Sequence, residues 1–318
     1  MKATPMETRL IESSEHDRAY IAQALADAAY QRAYQGGNTP QAMRTGTAAV
    51  TAHSAVRQAR EDVRVRCETL AGVPCEWLLP PAVRADIVPA DQPLIVYLHG
   101  GGFVRGSLNL GRANAAQIAA SAGLPVLAVG YRQAPEHPYP AAPDDVLAVY
   151  QALRSAARAP TSMTLVGESA GGTLALGMLP RLQGLGEPAP AAIAAVSPMA
   201  DLALSGASWI FNAPQDVADL PTGRRMVELY LGSRSPADAR ISPVLHDYAG
   251  ACPLWIAIGS HETMLSDAER LARRAAETGA QVHFRVYAGV PHGFTRFNVP
   301  IADQALNDAA AWCRDQLG

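Results

Sequence analysis

The chain has 318 residues, 49% hydrophobic and 17% charged, a composition that supports a large buried core and lacks the polar bias of a disordered chain. Its 26 basic and 29 acidic residues leave a net charge of −3 without a basic block, which argues against a nucleic-acid footprint. Four scattered cysteines, Cys67, Cys75, Cys252 and Cys313, have no metal-like spacing.

Residues 1–9 carry no apolar stretch behind the first charge, so a secretory signal is not expected, and reduced thiols in a cytoplasmic protein are the default. Residues 7–60 read as helical: Leu10, Ile11, Tyr20, Ile21, Ala24, Leu25 and Ala28 recur at helical spacing before a break at Gln35-Gly36-Gly37-Asn38, and a second helix is expected over 40–60. From Val63 the period becomes two. Val63, Val65, Cys67 and Thr69 alternate with Arg64, Arg66 and Glu68, and a turn at Gly72-Val73-Pro74 leads into 75–79, an antiparallel pair that could bring Cys67 and Cys75 together.

Continuous apolar strands then alternate with helical segments. Strands are expected at 94–98, 126–129, 164–166, 193–196, 254–258 and 282–287, and helices at 113–122, 143–157, 173–179, 267–278 and 301–317. The uncharged stretch 113–131 contains Asn114, Gln117, Ser121, Gly123 and Pro125, so it reads as a helix, a turn and a strand, with no membrane span. Uniformly apolar strands with intervening helices indicate an α/β fold, a mainly parallel sheet covered on both faces. Residues 201–248 interrupt the alternation with Trp209, Phe211, Met226 and Tyr230 but no strand, which suggests a cap over the carboxyl edge of the sheet. The expected organisation is N-terminal helices over 1–62 contributing to the cap, a core over 63–200 and 249–318, and a cap or lid over 201–248.

The chemistry concentrates at strand ends. After the strand at 164–166 comes Gly167-Glu168-Ser169-Ala170-Gly171-Gly172 and then a helix, the layout of a nucleophile elbow, whose tight turn requires small residues two before and two after the serine. Taken alone, the hexapeptide also fits an ordinary serine-capped turn. Upstream, His99-Gly100-Gly101-Gly102-Phe103 follows the strand at 94–98; its glycines allow close backbone approach, and with the Ala170 N–H they would receive a developing oxyanion. His99 reads as holding that loop in shape.

These two motifs, with Tyr131-Arg132-Gln133-Ala134-Pro135-Glu136-His137-Pro138-Tyr139-Pro140, resemble the hormone-sensitive-lipase family of α/β-hydrolase esterases, many of them bacterial. The family form has Leu where Gln133 stands. A serine nucleophile needs a base, and the base an orienting acid, in the order Ser, acid, His. The resemblance assigns His292, in His292-Gly293-Phe294, as the base. It assigns Glu262 as the acid at a position where the family usually has Asp, with Asp267 as the competitor, although a helix-start charge explains Asp267 as well. His246 reads as surface or structural, and His261 as an exposed turn residue or a pocket residue. Glu168 belongs to the elbow's hydrogen bonds, Asp144 and Asp145 are expected to cap a helix, and Glu136-His137 to brace their loop. The resemblance implies a serine carboxylic-ester hydrolase with Ser169, Glu262 and His292 as triad and Gly101, Gly102 and Ala170 as oxyanion donors. It further implies short- to medium-chain acyl substrates in a pocket lined by Phe103, Trp209, Phe211 and Tyr230, and pairing of copies through 282–317. No metal or cofactor is called for. A lactonase or deacetylase would use the same groups; a binding protein on this fold would usually lack a triad member.

Overall fold

In the computed structural model, residues 6–27, 30, 37, 39–84 and 88–318 are described. The strands are β1 (Met6–Ile11), β2 (Arg64–Leu70), β3 (Val73–Leu79), β4 (Leu94–Leu98), β5 (Val126–Val129), β6 (Met163–Glu168), β7 (Ala192–Val196), β8 (Leu254–Gly259) and β9 (Val282–Tyr287). The helices are α1 (Glu15–Ala26), α2 (Pro40–Thr51), α3 (Leu108–Ala122), α4 (Ala141–Ser155), α5 (Ala170–Leu185), α6 (Ser208–Phe211), α7 (Leu220–Leu231), α8 (Leu265–Thr278) and α9 (Pro300–Asp315).

One sheet runs in the order β1-β9-β8-β7-β6-β4-β5-β3-β2, parallel from β1 to β5 and antiparallel at the β3 and β2 edge. Every residue of β4 to β8 is buried, because both faces of the sheet are covered. Successive side chains alternate between two cores: Leu94, Val96 and Leu98 join α4, α5 and α8 on one face, while Ile95 and Tyr97 join α3 and α9 on the other. The parallel connections bring the carboxyl ends of β4, β6, β7, β8 and β9 to one rim, where ligands of open α/β sheets bind.

The N-terminal segment departs from the helical expectation. Residues 6–11 form β1, parallel to β9, with Met6 opposite Val282 and Ile11 opposite Tyr287. Leu10 is 62% exposed, so it marks no helical core face. The free edge of β9 overrides local pattern here, aided by Glu7, which pairs with His283 at 2.7 Å and Arg285 at 3.2 Å. Because β1 covers that edge, β9 offers no open strand edge for the pairing of copies expected at 282–317. The second expected helix stops at Thr51; the chain then turns so that Val56 bridges Phe297. Apart from Gly37, the expected break at 35–38 lies outside the described residues, as does Ala28.

The hairpin turns at Ala71 and Gly72, both at positive φ, one position earlier than expected, and Pro74 stands inside β3. Cys67 faces Glu76 and Cys75 faces Glu68, so the two thiols project from opposite faces and stay free. Asp144 and Asp145 do not cap α4; Asp144 pairs with Arg181 at 2.7 Å, and Asp145 accepts from the Arg132 backbone N–H and guanidinium. His246 is not a surface residue. It is 2% exposed beside Tyr248, and neither ring nitrogen has a partner among the described residues. Burial pushes it from the ordinary value of 6.5 down to about 4.

That burial sets a pH dependence. With its folded pKa below the unfolded one, the unfolded chain takes up the proton first, so stability falls as pH drops from 6.5 toward 4, by at most about 1.4 kcal/mol per pH unit for this group. We expect His246→Leu to flatten this limb in urea titrations between pH 4 and pH 7. Parallel wild-type and variant curves would refute the assignment.

Candidate active site

Ser169 sits between β6 and α5 at φ 52° and ψ −119°, a conformation that costs free energy and persists only when neighbours enforce it. Its N–H donates to Val196 O at 2.9 Å, tying the turn to the end of β7. A Cβ on Gly167 would stand 2.1 Å from Gly171 O, and one on Gly171 would stand 2.0 Å from Leu98 O, so side chains at either place would collide with backbone. The strain lifts the serine Oγ out of the strand line toward the rim. Inside the turn Glu168 is fully engaged, accepting from Tyr97 Oη at 2.8 Å and from Asn114 Nδ2 at 2.8 and 3.1 Å.

Two further strand ends complete a hydrogen-bonded line. His292 Nε2 lies 3.1 Å from Ser169 Oγ, and His292 Nδ1 lies 2.7 Å from Glu262 Oε2. The other carboxylate oxygen, Oε1, accepts from Ser197 Oγ and the Gly259 N–H, each at 2.6 Å. Glu262 is 0% exposed, and burial raises its pKa above the usual carboxylate value against the opposing pull of His292. The sequence competitor Asp267 is occupied elsewhere: it accepts from Trp209 Nε1 at 2.8 Å and from Arg270 at 3.0 Å. Burial raises it to about 6. His261 flanks the acid turn, half-buried, and is absent from the cavity wall.

The glycine loop after β4 takes three consecutive left-handed residues, Gly101 at φ 119°, Gly102 at 59° and Phe103 at 64°. Among the described residues, no acceptor bonds the N–H groups of Gly101, Gly102 or Ala170. Three unpartnered donors beside a serine hydroxyl form a site for a negative oxygen. The loop is braced from several sides. His99 is buried, stacked on Tyr131 at 4.2 Å, and its Nδ1 lies 2.8 Å from Gly100 O. Burial lowers its pKa to about 4, so at neutral pH it is an uncharged strut. Gln133, standing where the resembled family has Leu, bonds both the N–H and the C=O of Gly106 at 2.7 Å. Arg44 of α2 donates to Val104 O at 2.9 Å and to Ala134 O at 3.0 Å, and pairs with Glu136.

The α/β hydrolase fold family profile matches residues 95–296. A solved esterase from the bacterial hormone-sensitive lipase family superposes with a TM-score of 0.88 at 31% identity, covering 96% of this chain and 100% of that one. An esterase of Acinetobacter venetianus is 36% identical over 252 residues, 78% of this chain and 81% of its own. An acetyl-hydrolase of Streptomyces hygroscopicus is 35% identical over 256 residues, 79% of this chain and 82% of its own. The chain belongs to the bacterial hormone-sensitive-lipase family of α/β hydrolases.

The cavity over the serine of this hydrolase-family chain has a volume of about 610 Å³ including its open mouth. Its apolar wall is made by Met199, Trp209, Val217, Met226 and Met264, and Arg105, Arg296 and His292 also line it. Three of the aromatic residues expected in the wall are not there. Phe211 is 75% exposed on the outer side of α6, while Phe103 and Tyr230 are buried and stacked on each other at 3.8 Å, packing behind the wall. Apolarity alone does not tell a lining residue from a supporting one.

Sequence reasoning also missed the hydrogen-bonded seam that joins residues 208–216 to the acid turn. Ser208, Asn212 and Asp216 recur every fourth residue and all point at the acid turn. Ser208 Oγ donates to Thr263 O at 2.6 Å, and Asn212 Nδ2 to Ser260 O at 3.0 Å and Glu262 O at 2.8 Å. Asp216 accepts from the Thr263 N–H and the His292 N–H, both at 2.7 Å, and from Thr263 Oγ1 at 2.9 Å. One carboxylate thus clamps the backbones of the acid turn and the histidine turn. The four-residue spacing was visible as a signal, but its target was not.

Removing that clamp leaves two turn N–H groups without acceptors, at a cost of about 1–3 kcal/mol each. We expect Asp216→Ala to lower kcat on p-nitrophenyl butyrate about tenfold or more while the protein remains folded, with Asp216→Asn retaining more activity. Wild-type kcat in Asp216→Ala would show that the clamp does not position His292.

Proposed function

We propose that the chain is a serine carboxylic-ester hydrolase working through an acyl-enzyme. The single observation that carries this reading is the line from Ser169 Oγ through His292 to Glu262, at 3.1 and 2.7 Å, beside three unpartnered N–H donors. Ser169 Oγ attacks the ester carbonyl carbon while His292 Nε2 takes its proton. The carbonyl oxygen gathers negative charge and is received by Gly101, Gly102 and Ala170 N–H. Glu262 holds the imidazole so that Nε2 faces the serine, and stabilises the imidazolium that forms. The tetrahedral intermediate collapses as His292 returns the proton to the leaving alcohol. Water, deprotonated by the same nitrogen, then attacks the acyl-enzyme and releases the acid.

The apolar wall of Met199, Trp209, Met226 and Met264 supports short- to medium-chain acyl groups. The names of the relatives agree in class: esterase, acetyl-hydrolase and carboxylesterase. A solved relative, EstE5, was soaked with p-nitrophenyl butyrate. The presence of all three groups in one line disfavours a purely binding role on this fold. Among the described residues no cluster of side chains suited to a metal occurs, and each step above uses protein groups and water alone.

The test is hydrolysis of p-nitrophenyl butyrate. We expect Ser169→Ala to lose at least about a thousandfold in kcat and Glu262→Gln to lose about a hundredfold or more, since the amide does not stabilise the imidazolium. Activity of Ser169→Ala within tenfold of wild type would overturn the reading.

A further inference from the structure

Arg296 stands four residues after His292, at the end of the short turn Phe294–Arg296. It is half-buried and lines the cavity over Ser169. A Cβ on Gly100 would meet Arg296 Nη2 at 3.2 Å and Ser169 Cβ at 3.3 Å, so the guanidinium and the nucleophile flank the same glycine. Several other buried or partly buried arginines of the chain are paired: Arg57 with Asp303, Arg112 with Glu76, Arg181 with Asp144. The Arg296 guanidinium has no hydrogen bond or ion pair among the described residues, although a guanidinium carries five donors and stays charged at every working pH.

The surroundings do not answer that charge. The carboxylate in the cavity wall, Asp219, is spent on the start of α7, accepting from the Thr222 N–H at 2.8 Å and Thr222 Oγ1 at 3.0 Å. Glu168, behind Gly100, takes its hydrogen bonds from Tyr97 and Asn114 and none from Arg296. The cavity therefore pairs an apolar wall with a cationic corner next to the nucleophile.

We propose that this corner selects anionic esters: substrates whose carboxylate lies a short spacer of roughly two or three carbons from the scissile ester, paired with Arg296. This rests on the ester-hydrolase reading and names the substrate class of that site. The carboxylate belongs to the acyl part or to the alcohol part, and suitable probes separate the two. The competing role for Arg296, balancing the buried charge of Glu168, predicts equal damage to neutral and anionic substrates when the arginine is lost.

The experiment compares kcat/KM for ethyl butyrate, monoethyl succinate (carboxylate on the acyl side) and 3-butyryloxypropanoate (carboxylate on the alcohol side). The read-out is the ratio of each anionic ester to the neutral one. We expect at least one ratio to exceed about tenfold at low salt, to decline with added salt, to fall at least tenfold in Arg296→Gln and to stay within about threefold in Arg296→Lys. Hydrolysis of ethyl butyrate with no anionic preference overturns this proposal alone, as does a ratio unchanged in Arg296→Gln. Hydrolysis of none of the three overturns the ester-hydrolase reading as well. Should Arg296→Gln not fold, the wild-type preference, its salt dependence and the Lys variant still decide.

Discussion

The structure depends on a close backbone approach: the elbow turn presses against the end of β4, leaving no room for a side chain on Gly171 beside Leu98 O. That contact exists because β4 and β6 are neighbours in register, Leu98 opposite Gly167. It holds Ser169 in a left-handed conformation that an isolated peptide would abandon, and it brings the glycine loop after β4 within reach of the serine. The strain is local and the restraint is global. A sheet buried on both faces resists the small movements that would relax the turn.

Around this point the molecule trades stability for chemistry. Glu262 is buried as a carboxylate, a costly arrangement that is offset by His292, Ser197 and the Gly259 N–H. Asp216 and Asn212 bind the turn that carries this acid, and Asp216 also binds the histidine turn. The wall that would meet a substrate includes Trp209, Val217 and Met226 of the same segment, 201–248. Contact with that segment and alignment of the imidazole are therefore linked through shared hydrogen bonds.

Much of this was legible in the sequence, for definite reasons. Strands β4 to β8 were readable because buried parallel strands are largely apolar runs, and the elbow because Gly167 and Gly171 answer a steric demand. The order serine, acid, histidine came with the family resemblance, while Glu262 over Asp267 took the geometry to separate: one reaches His292, the other is held by Trp209 and Arg270. What was not legible is non-local. Residues 6–11 read as part of a helical segment but find the edge of β9, 276 positions away (282 − 6). Phe103, Phe211 and Tyr230 are as apolar as Trp209, yet of these four only Trp209 reaches the cavity, because the path of the glycine loop and the orientation of the helices decide which side chains look inward. Asp216 and Arg296 stand in no sequence motif; the fold alone places them beside His292 and Ser169.

The central claim is that Ser169 alone is raised to a nucleophile by this geometry. The most direct measurement is intact-protein mass spectrometry after brief treatment with a fluorophosphonate, followed by peptide mapping. The account predicts one adduct per chain, on Ser169, and none on the denatured protein. An unlabelled native protein, or an adduct on a different serine, would contradict it.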